Sequence, residues 1–309
     1  MFTLAHMSDP HLPLAGARPA ELASKRILGW LSWTLRRGRW HRRAVLEKVT
    51  ADMAAAGAGH IALTGDVVNI STRAEFAAAR SWLADLSEPG GLTLVPGNHD
   101  FYTRDALAAG LKDLGPWMGP AADRGLPEFP QVRYLRNVAL IGLNSAHAAP
   151  WGEASGRLGQ GQLRRLGELL ESCAAKGLCR VVLIHHPPLA TLATKPRKAL
   201  KDAAALEDLL RGRGAEVVLY GHNHVWAHGA MRTASGFLHM LSTPSASMAP
   251  GGHRPAGGWQ LLRITRRQGA WEIGVERRQL NDAATEMEEA GTMTLNSLEA
   301  GTGQIFQPR

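Results

Sequence analysis

Five short segments carry the side chains able to do chemistry: Asp9-Pro10-His11, Gly65-Asp66, Gly97-Asn98-His99-Asp100, His185-His186-Pro187 and Gly221-His222-Asn223-His224. Imidazole nitrogens and carboxylate oxygens together suit divalent ions such as Mn, Fe, Co and Zn. In an extended segment, Asp-x-His and His-x-His turn two donors to one side. Asn98 adds a neutral amide oxygen, which ligates without adding charge, and the Asp66 carboxylate is free to bridge two ions. Any one segment alone reads as a polar turn whose histidine is satisfied by backbone. Six of the thirteen histidines fall in these five segments, and the segments occur together, which points to a metal site built from His, Asp and Asn.

Each segment ends a stretch that reads as a strand. Strands are expected over residues 2–8, 60–66, 91–100, 137–146, 180–188 and 215–220. Helices are expected over 44–56, with Gly57 as a stop, over 72–86, where Thr72 and Glu75 make a capping box, and over 161–177 and 203–214. Alternating strands and helices argue for mainly parallel sheets covered by helices, with the C-terminal strand ends on one ligand-binding edge. Residues 236–243, 258–265 and 270–278 have no helix between them and read as a meander. The Gly- and Pro-rich stretch 115–131 reads as a surface loop.

With 309 residues, 45% hydrophobic and 20% charged, the composition is that of an ordinary globular protein with a large core. No apolar run approaches the ~20 residues that cross a bilayer. The N-terminus lacks a basic segment followed by a long apolar core, so no signal peptide is expected and a cytoplasmic location is. Cys173 and Cys179 read as small buried hydrophobes rather than a disulfide framework. A net charge of +8 favours anionic partners.

The five motifs, in this order across residues 9 to 224, resemble the signature of the calcineurin-like metallophosphoesterases. The resemblance implies an α/β fold: a four-layer αββα sandwich of two mixed sheets flanked by helices, with the metal site at the C-terminal strand ends. It also implies two divalent metal ions (Mn, Fe, Zn or Co), one held by Asp9, His11, Asp66 and His224, the other by Asp66, Asn98, His185 and His222. His185 rather than His186 is the expected ligand, because the family pattern is His-x-Pro. In the family the residue matching His99 faces the leaving group, so His99 is expected as general acid with Asp100 orienting it. The implied activity is phosphodiester hydrolysis by a metal-bridging hydroxide attacking phosphorus in line. The style of the motifs is that of the bacterial phosphodiesterase branch, which includes cyclic-nucleotide and glycerophosphodiester hydrolases. Asn69 and His253 are further candidates for touching substrate.

A departure from that branch is the basic insert 25–43, KRILGWLSWTLRRGRWHRR. From Leu22 to Leu46 there are seven Lys or Arg and no Asp or Glu. Ile27, Trp30, Leu31, Thr34 and Leu35 fall at helical spacing, with Trp33 nearby. Trp with Arg on a short amphipathic helix is the composition of an anchor on anionic lipid, as well as of an ordinary helix packed on the core. An alternative function follows, hydrolysis of a lipid-linked phosphate or pyrophosphate at the inner membrane face, in the manner of the nucleotide-diacylglucosamine pyrophosphatases. Nucleic acid ranks below both, since no second basic stripe extends a track. A non-enzymatic scaffold is disfavoured by the complete ligand set. The metallophosphoesterase domain is assigned to 1–281. Residues 282–309, polar and acidic, are expected as a flexible tail.

Overall fold

The computed structural model describes residues 1–88, 90–119 and 126–298. In chain order the elements are β1 (Phe2–Met7), α1 (Pro19–Leu22), α2 (Arg26–Leu35), α3 (Arg43–Ala55), β2 (His60–Leu63), α4 (Arg73–Leu86), β3 (Leu92–Leu94), α5 (Ala106–Ala109), α6 (Gly115–Met118), β4 (Gln131–Leu135), β5 (Val138–Gly142), α7 (Gln160–Ala175), β6 (Cys179–Leu183), α8 (Ala203–Arg213), β7 (Val217–Tyr220), β8 (Ala227–Thr233), β9 (Gly236–Ser242), β10 (Gly258–Arg267), β11 (Ala270–Leu280) and β12 (Met287–Asn296). Short 3-10 turns join several of them, including Arg37–Arg39 after α2.

The strands form two mixed sheets, ordered β12-β11-β10-β1-β2-β3 and β4-β5-β6-β7-β9-β8. β1, β2 and β3 pair in parallel, as do β5, β6, β7 and β9. One continuous core joins the sheets: Leu4, Leu63 and Leu94 of the first pack in the same cluster as Val181, Leu183 and Leu219 of the second. A second core lies on the outer face of the second sheet, where Ile141, Val182 and Val218 meet Leu166 and Leu170 of α7 and Leu206 and Leu210 of α8. On the other side α3 packs against β10, β11 and β12. The layers are therefore helix, sheet, sheet, helix. The central strands β5, β6 and β7 are buried on both faces, which is why they read as near-continuous hydrophobic runs.

The capping box of α4 forms as expected, with the Thr72 hydroxyl accepting the Glu75 amide at 3.2 Å. Cys173 and Cys179 are free and buried. Three expectations need correction. The 236–243 strand is no part of a meander with the two that follow: β9 pairs with β7 in the second sheet, while β10, β11 and β12 make the meander of the first. The expected tail instead supplies β12, paired antiparallel with β11 through Glu272↔Asn296 to Leu280↔Met287, and only Leu295 of this strand is fully buried, so alternation was too weak to announce it. Residues 299–309 lie outside the described residues. Of the expected loop 115–131, Gly115–Met118 is helical and Gln131 opens β4, while 120–125 lie outside the described residues.

The insert forms α2, seated on the body of the protein by one face. Gly29 makes this approach possible, because a Cβ there would meet Ile70 and, at 2.9 Å, the Tyr102 hydroxyl. Arg26 is 3% exposed. Its guanidinium donates to both Asp105 oxygens at 3.1 and 2.9 Å and to the carbonyls of Ile70 and Ser71. This arginine is therefore a structural clamp and no part of a solvated basic face. Among the described residues no helix is long and apolar enough to cross a membrane.

Candidate metal centre

The parallel strands β1, β2 and β3 of one sheet and β6 and β7 of the other all stop at one edge, and each continues directly into one of the five polar segments. The chain turns sharply there. Asp9, His11, Asp66, His222 and His224 all have positive φ, from 39° to 69°. Such left-handed backbone costs a non-glycine residue on the order of 1 kcal/mol, and clusters of it mark functional sites. Bonds within and between the sheets hold the turns. Asp9 N donates to Gly65 O and His11 N to Asp66 O, both at 3.0 Å. His222 N donates to Asp9 Oδ2 at 3.0 Å, and Ser245 Oγ donates to Asp9 O at 2.6 Å. Two glycines allow the crowding: a Cβ on Gly97 would collide with the Asp66 carboxylate, and one on Gly221 with the Ser8 hydroxyl.

These turns bring the candidate ligand atoms together. Asp66 Oδ1 accepts the His99 amide at 2.7 Å. Its Oδ2 lies 3.4 Å from His185 Nε2 and 3.8 Å from His11 Nε2. His224 Nε2 is 3.0 Å from Asp9 Oδ1 and 3.4 Å from His11 Nε2. On the other side of Asp66, His185 Nε2 is 3.2 Å from both Asn98 Oδ1 and His222 Nδ1. Asp9, His11 and Asp66 form one group whose donor atoms lie within 4.8 Å of one another; Asp66, His185 and His222 form a second. Asp66 belongs to both. His222 Nε2 is buried with no hydrogen-bond partner. A cluster of N and O donors at this spacing, with an orphaned ring nitrogen among them, fits divalent cations.

The charges agree. Burial, with Arg37 next, holds His11 well below the ordinary histidine value, and burial with His186 does the same for His222, which favours the neutral form of both rings. For His185 burial works the other way from the outcome: the Asp66 carboxylate outweighs it and lifts the ring to about 9. Asp66, despite burial, is held well below the usual carboxylate range by His185 and His99.

The remaining sequence candidates separate. His186 stands back from the cluster, its Nδ1 2.8 Å from Ser145 Oγ and its Nε2 3.2 Å from Ala154 O. His99 lies at the cavity with its Nδ1 against Asn69 O, which leaves Nε2 facing inward. Burial and Arg37 lower His99 to about 4. Asp100 does not orient His99. Its carboxylate accepts four backbone amides instead: Asp66 N and Gly97 N on Oδ2 at 2.9 and 2.8 Å, Val67 N and Val68 N on Oδ1 at 2.9 and 3.1 Å. The turn after β3 directs the side chain inward beneath the Asp66 turn, where orphaned amides converge. Burial and Asp66 push Asp100 up to about 7. Asn69 faces away from the cavity, donating to Leu12 O at 2.6 Å. His253 lines the rim.

The cavity over the cluster has a volume of about 420 Å³. Its lining also brings in Arg37, His41, Lys198 and Arg254, which were not site candidates in the sequence. Arg37 follows α2 and lays its guanidinium across two rings, Nη2 3.1 Å from His11 Nε2 and Nη1 3.1 Å from His99 Nε2. His41 packs its ring 4.6 Å from that of His11, bonds Ser247 Oγ at 2.9 Å and stacks on Trp33. Arg254 Nη1 is 2.6 Å from His224 Nδ1. Arg37 and His41 were hidden within a run that composition assigned to a surface, and Arg254 beside His253 in a glycine-rich loop.

Three comparisons bear on this geometry. The family model described as calcineurin-like phosphoesterase matches residues 2–226. The chain is 29% identical over 226 residues to a cAMP/cGMP dual specificity phosphodiesterase of Mycobacterium tuberculosis; the match takes in 72% of this chain and spans 62% of that protein's length. Among solved structures it is similar to a dimetal phosphatase from Danio rerio (TM-score 0.61, 14% identity, 96% of this chain and 99% of that one). It is also similar to the purple acid phosphatase PPD1 of yellow lupin (TM-score 0.54, 13% identity, 95% of this chain and 53% of that one).

Proposed function

The chain belongs to the calcineurin-like phosphoesterases, and from that premise we propose that it is a metal-dependent phosphoester hydrolase acting on phosphodiesters. Asp9, His11, Asp66 and His224 would hold one divalent ion, and Asp66, Asn98, His185 and His222 a second. When bound, the ions supply an activated water and neutralise the phosphate oxygens. The chain's own groups do the rest. The Asp66 backbone is fixed by Asp100, so its shared oxygen cannot drift. His99, tied at Nδ1 to Asn69 O, would present Nε2 to the leaving oxygen and hand it a proton once Arg37 turns from that nitrogen to the phosphate. Burial and Arg37 disfavour the protonated ring; an anionic phosphate beside it favours protonation.

One observation carries this reading: His185 Nε2 and His11 Nε2 both approach the same oxygen of Asp66, at 3.4 and 3.8 Å. The diester preference is supported by the mycobacterial relative, whose name gives it cyclic nucleotides as substrates. The test is metal reconstitution with Mn, Fe, Zn or Co, reading bound metal by mass spectrometry and turnover of bis-p-nitrophenyl phosphate, cyclic AMP and glycerophosphodiesters. Asp66→Asn is expected to lower both metal content and turnover. Full turnover in that variant, or no turnover with any metal, would remove the proposal.

A second reading, action on a lipid-linked phosphate at an anionic membrane surface, is supported by the outer face of α2. Leu28, Leu31 and Leu35 are 49%, 39% and 71% exposed. They fall at i, i+3 and i+7 on the face opposite Gly29 and Trp33, with the exposed Arg36, Arg39 and Arg42 beyond them.

A further inference from the structure

We infer that Arg37, Lys198 and Arg254 form a site for a second anionic group, so that the preferred ligand of this cavity is a phosphate ester carrying another phosphate beyond the one at the metal ligands. The inference rests on the cavity being a phosphate-ester site, and it names what else the ligand must carry.

The three side chains all line the cavity, yet they come from distant parts of the fold: the turn after α2, the 3-10 turn Pro196–Lys198 and the loop before β10. Among the described residues none of the three has a carboxylate within ion-pair distance. Arg37 and Arg254 bond only to imidazole nitrogens. Elsewhere three of the less exposed arginines pair with carboxylates, while Arg277, 2% exposed, bonds the Ala227 carbonyl instead. Arg26 meets Asp105 at 2.9 Å, Arg180 meets Glu216 at 2.7 Å and Arg278 meets Asp52 at 2.6 Å. Three like charges facing one cavity repel, so a fold keeps such an arrangement where an anion compensates it.

The two carboxylates at the floor attract these cations through space but pair with none of them. Asp9 is engaged by His224, Ser8 and the His222 amide, and Asp66 by His185, His11 and the His99 amide. The scissile group of a diester carries a single negative charge, which one guanidinium with the metal ligands below it would satisfy. Three cations are in excess of that, and a guanidinium fork suits a further phosphate or phosphate-like group. Trp40 also lines the cavity, but the Gly252 backbone lies against its ring, with a Cβ there 3.1 Å from it, so this ring face is already covered and adds no open stacking platform.

The experiment is calorimetric binding to the metal-loaded protein, at fixed salt and free metal, of two probes that need not turn over: adenosine 5′-monophosphate and adenosine 5′-(α,β-methylene)diphosphate. The diphosphate analogue is expected to bind about tenfold tighter or more. In Arg37→Ala/Arg254→Ala that preference should fall to within about threefold, and in Arg37→Lys/Arg254→Lys most of it should persist. Lys198→Gln, at a side chain with no hydrogen bond or ion pair among the described residues, gives a second variant expected to fold and to lose part of the preference. Equal affinity for the probes, no binding of the diphosphate, or a preference that survives both loss-of-charge variants would overturn the inference. Because the readout is binding, it stands apart from turnover: absent hydrolysis with a retained diphosphate preference would sink the enzymatic reading and leave this one in place.

Discussion

The carboxylate of Asp100 accepts the backbone amide of Asp66 at 2.9 Å, and the same side chain collects the amides of Gly97, Val67 and Val68. Two of the five motifs are thereby joined beneath the site by a group that touches no candidate ligand side chain.

Asp100→Asn therefore sets an NH2 donor against amide donors. The expected result is a loss of about 2–4 kcal/mol of stability, read as a melting temperature lower by about 5 °C or more, together with reduced metal content. A variant with unchanged melting and metal content but altered leaving-group dependence would instead favour the role of orienting His99.

His99→Ala should keep its metal, since its ring belongs to neither ligand group. Turnover of diesters with poor leaving groups is expected to fall about 10²–10⁴-fold, and that of p-nitrophenyl esters far less, because p-nitrophenolate leaves without a proton. Equal losses on both substrates would remove the acid role.

Acid stability should follow two core histidines. His6, bonded to Thr64 and Gln260, is lowered by burial to about 3, and His60, bonded to Thr93, by burial and Arg133 to about 4. Both stay neutral in the fold while the unfolded chain takes up protons below about 6.5. Stability is full above that value and declines as pH falls, by about 1.4 kcal/mol per pH unit for each residue, until the folded values are reached. Urea melts between pH 7.5 and 4.5 should show a shallower decline in His60→Asn than in the wild type.

The outer leucines of α2 are open to a direct test. Leu31→Ser/Leu35→Ser, at exposed positions, should leave the melting temperature within about 1 °C and abolish co-sedimentation with vesicles containing phosphatidylglycerol. Absence of sedimentation by the wild type at low salt would remove the membrane-surface reading.

The central strands and their polar ends were legible in the sequence because long apolar runs broken by Gly, Pro and His announce themselves locally. His185 and His186 were separated by Pro187 alone, and the structure sets His185 toward Asp66 and His186 toward Ser145. What was hidden depends on tertiary neighbours. β12 has little buried apolar surface, and its partner β11 defines it. Arg37 sits in a run in which Arg36, Arg39, Arg42 and Arg43 face solvent, and the seating of α2 by Gly29 and Arg26 turns Arg37 inward. Asp100 reads as a partner for its neighbour His99 until the fold reveals unsatisfied amides closer by.

The left-handed backbone at Asp9, His11, Asp66, His222 and His224 governs which lesions in this protein can be interpreted. Asparagine tolerates that conformation at least as well as aspartate or histidine, whereas valine or isoleucine would be forced to rebuild the turn. Asparagine replacements at these five positions are thus the ones that separate a lost ligand from a broken loop, and a β-branched replacement that silences the protein would say little about its chemistry.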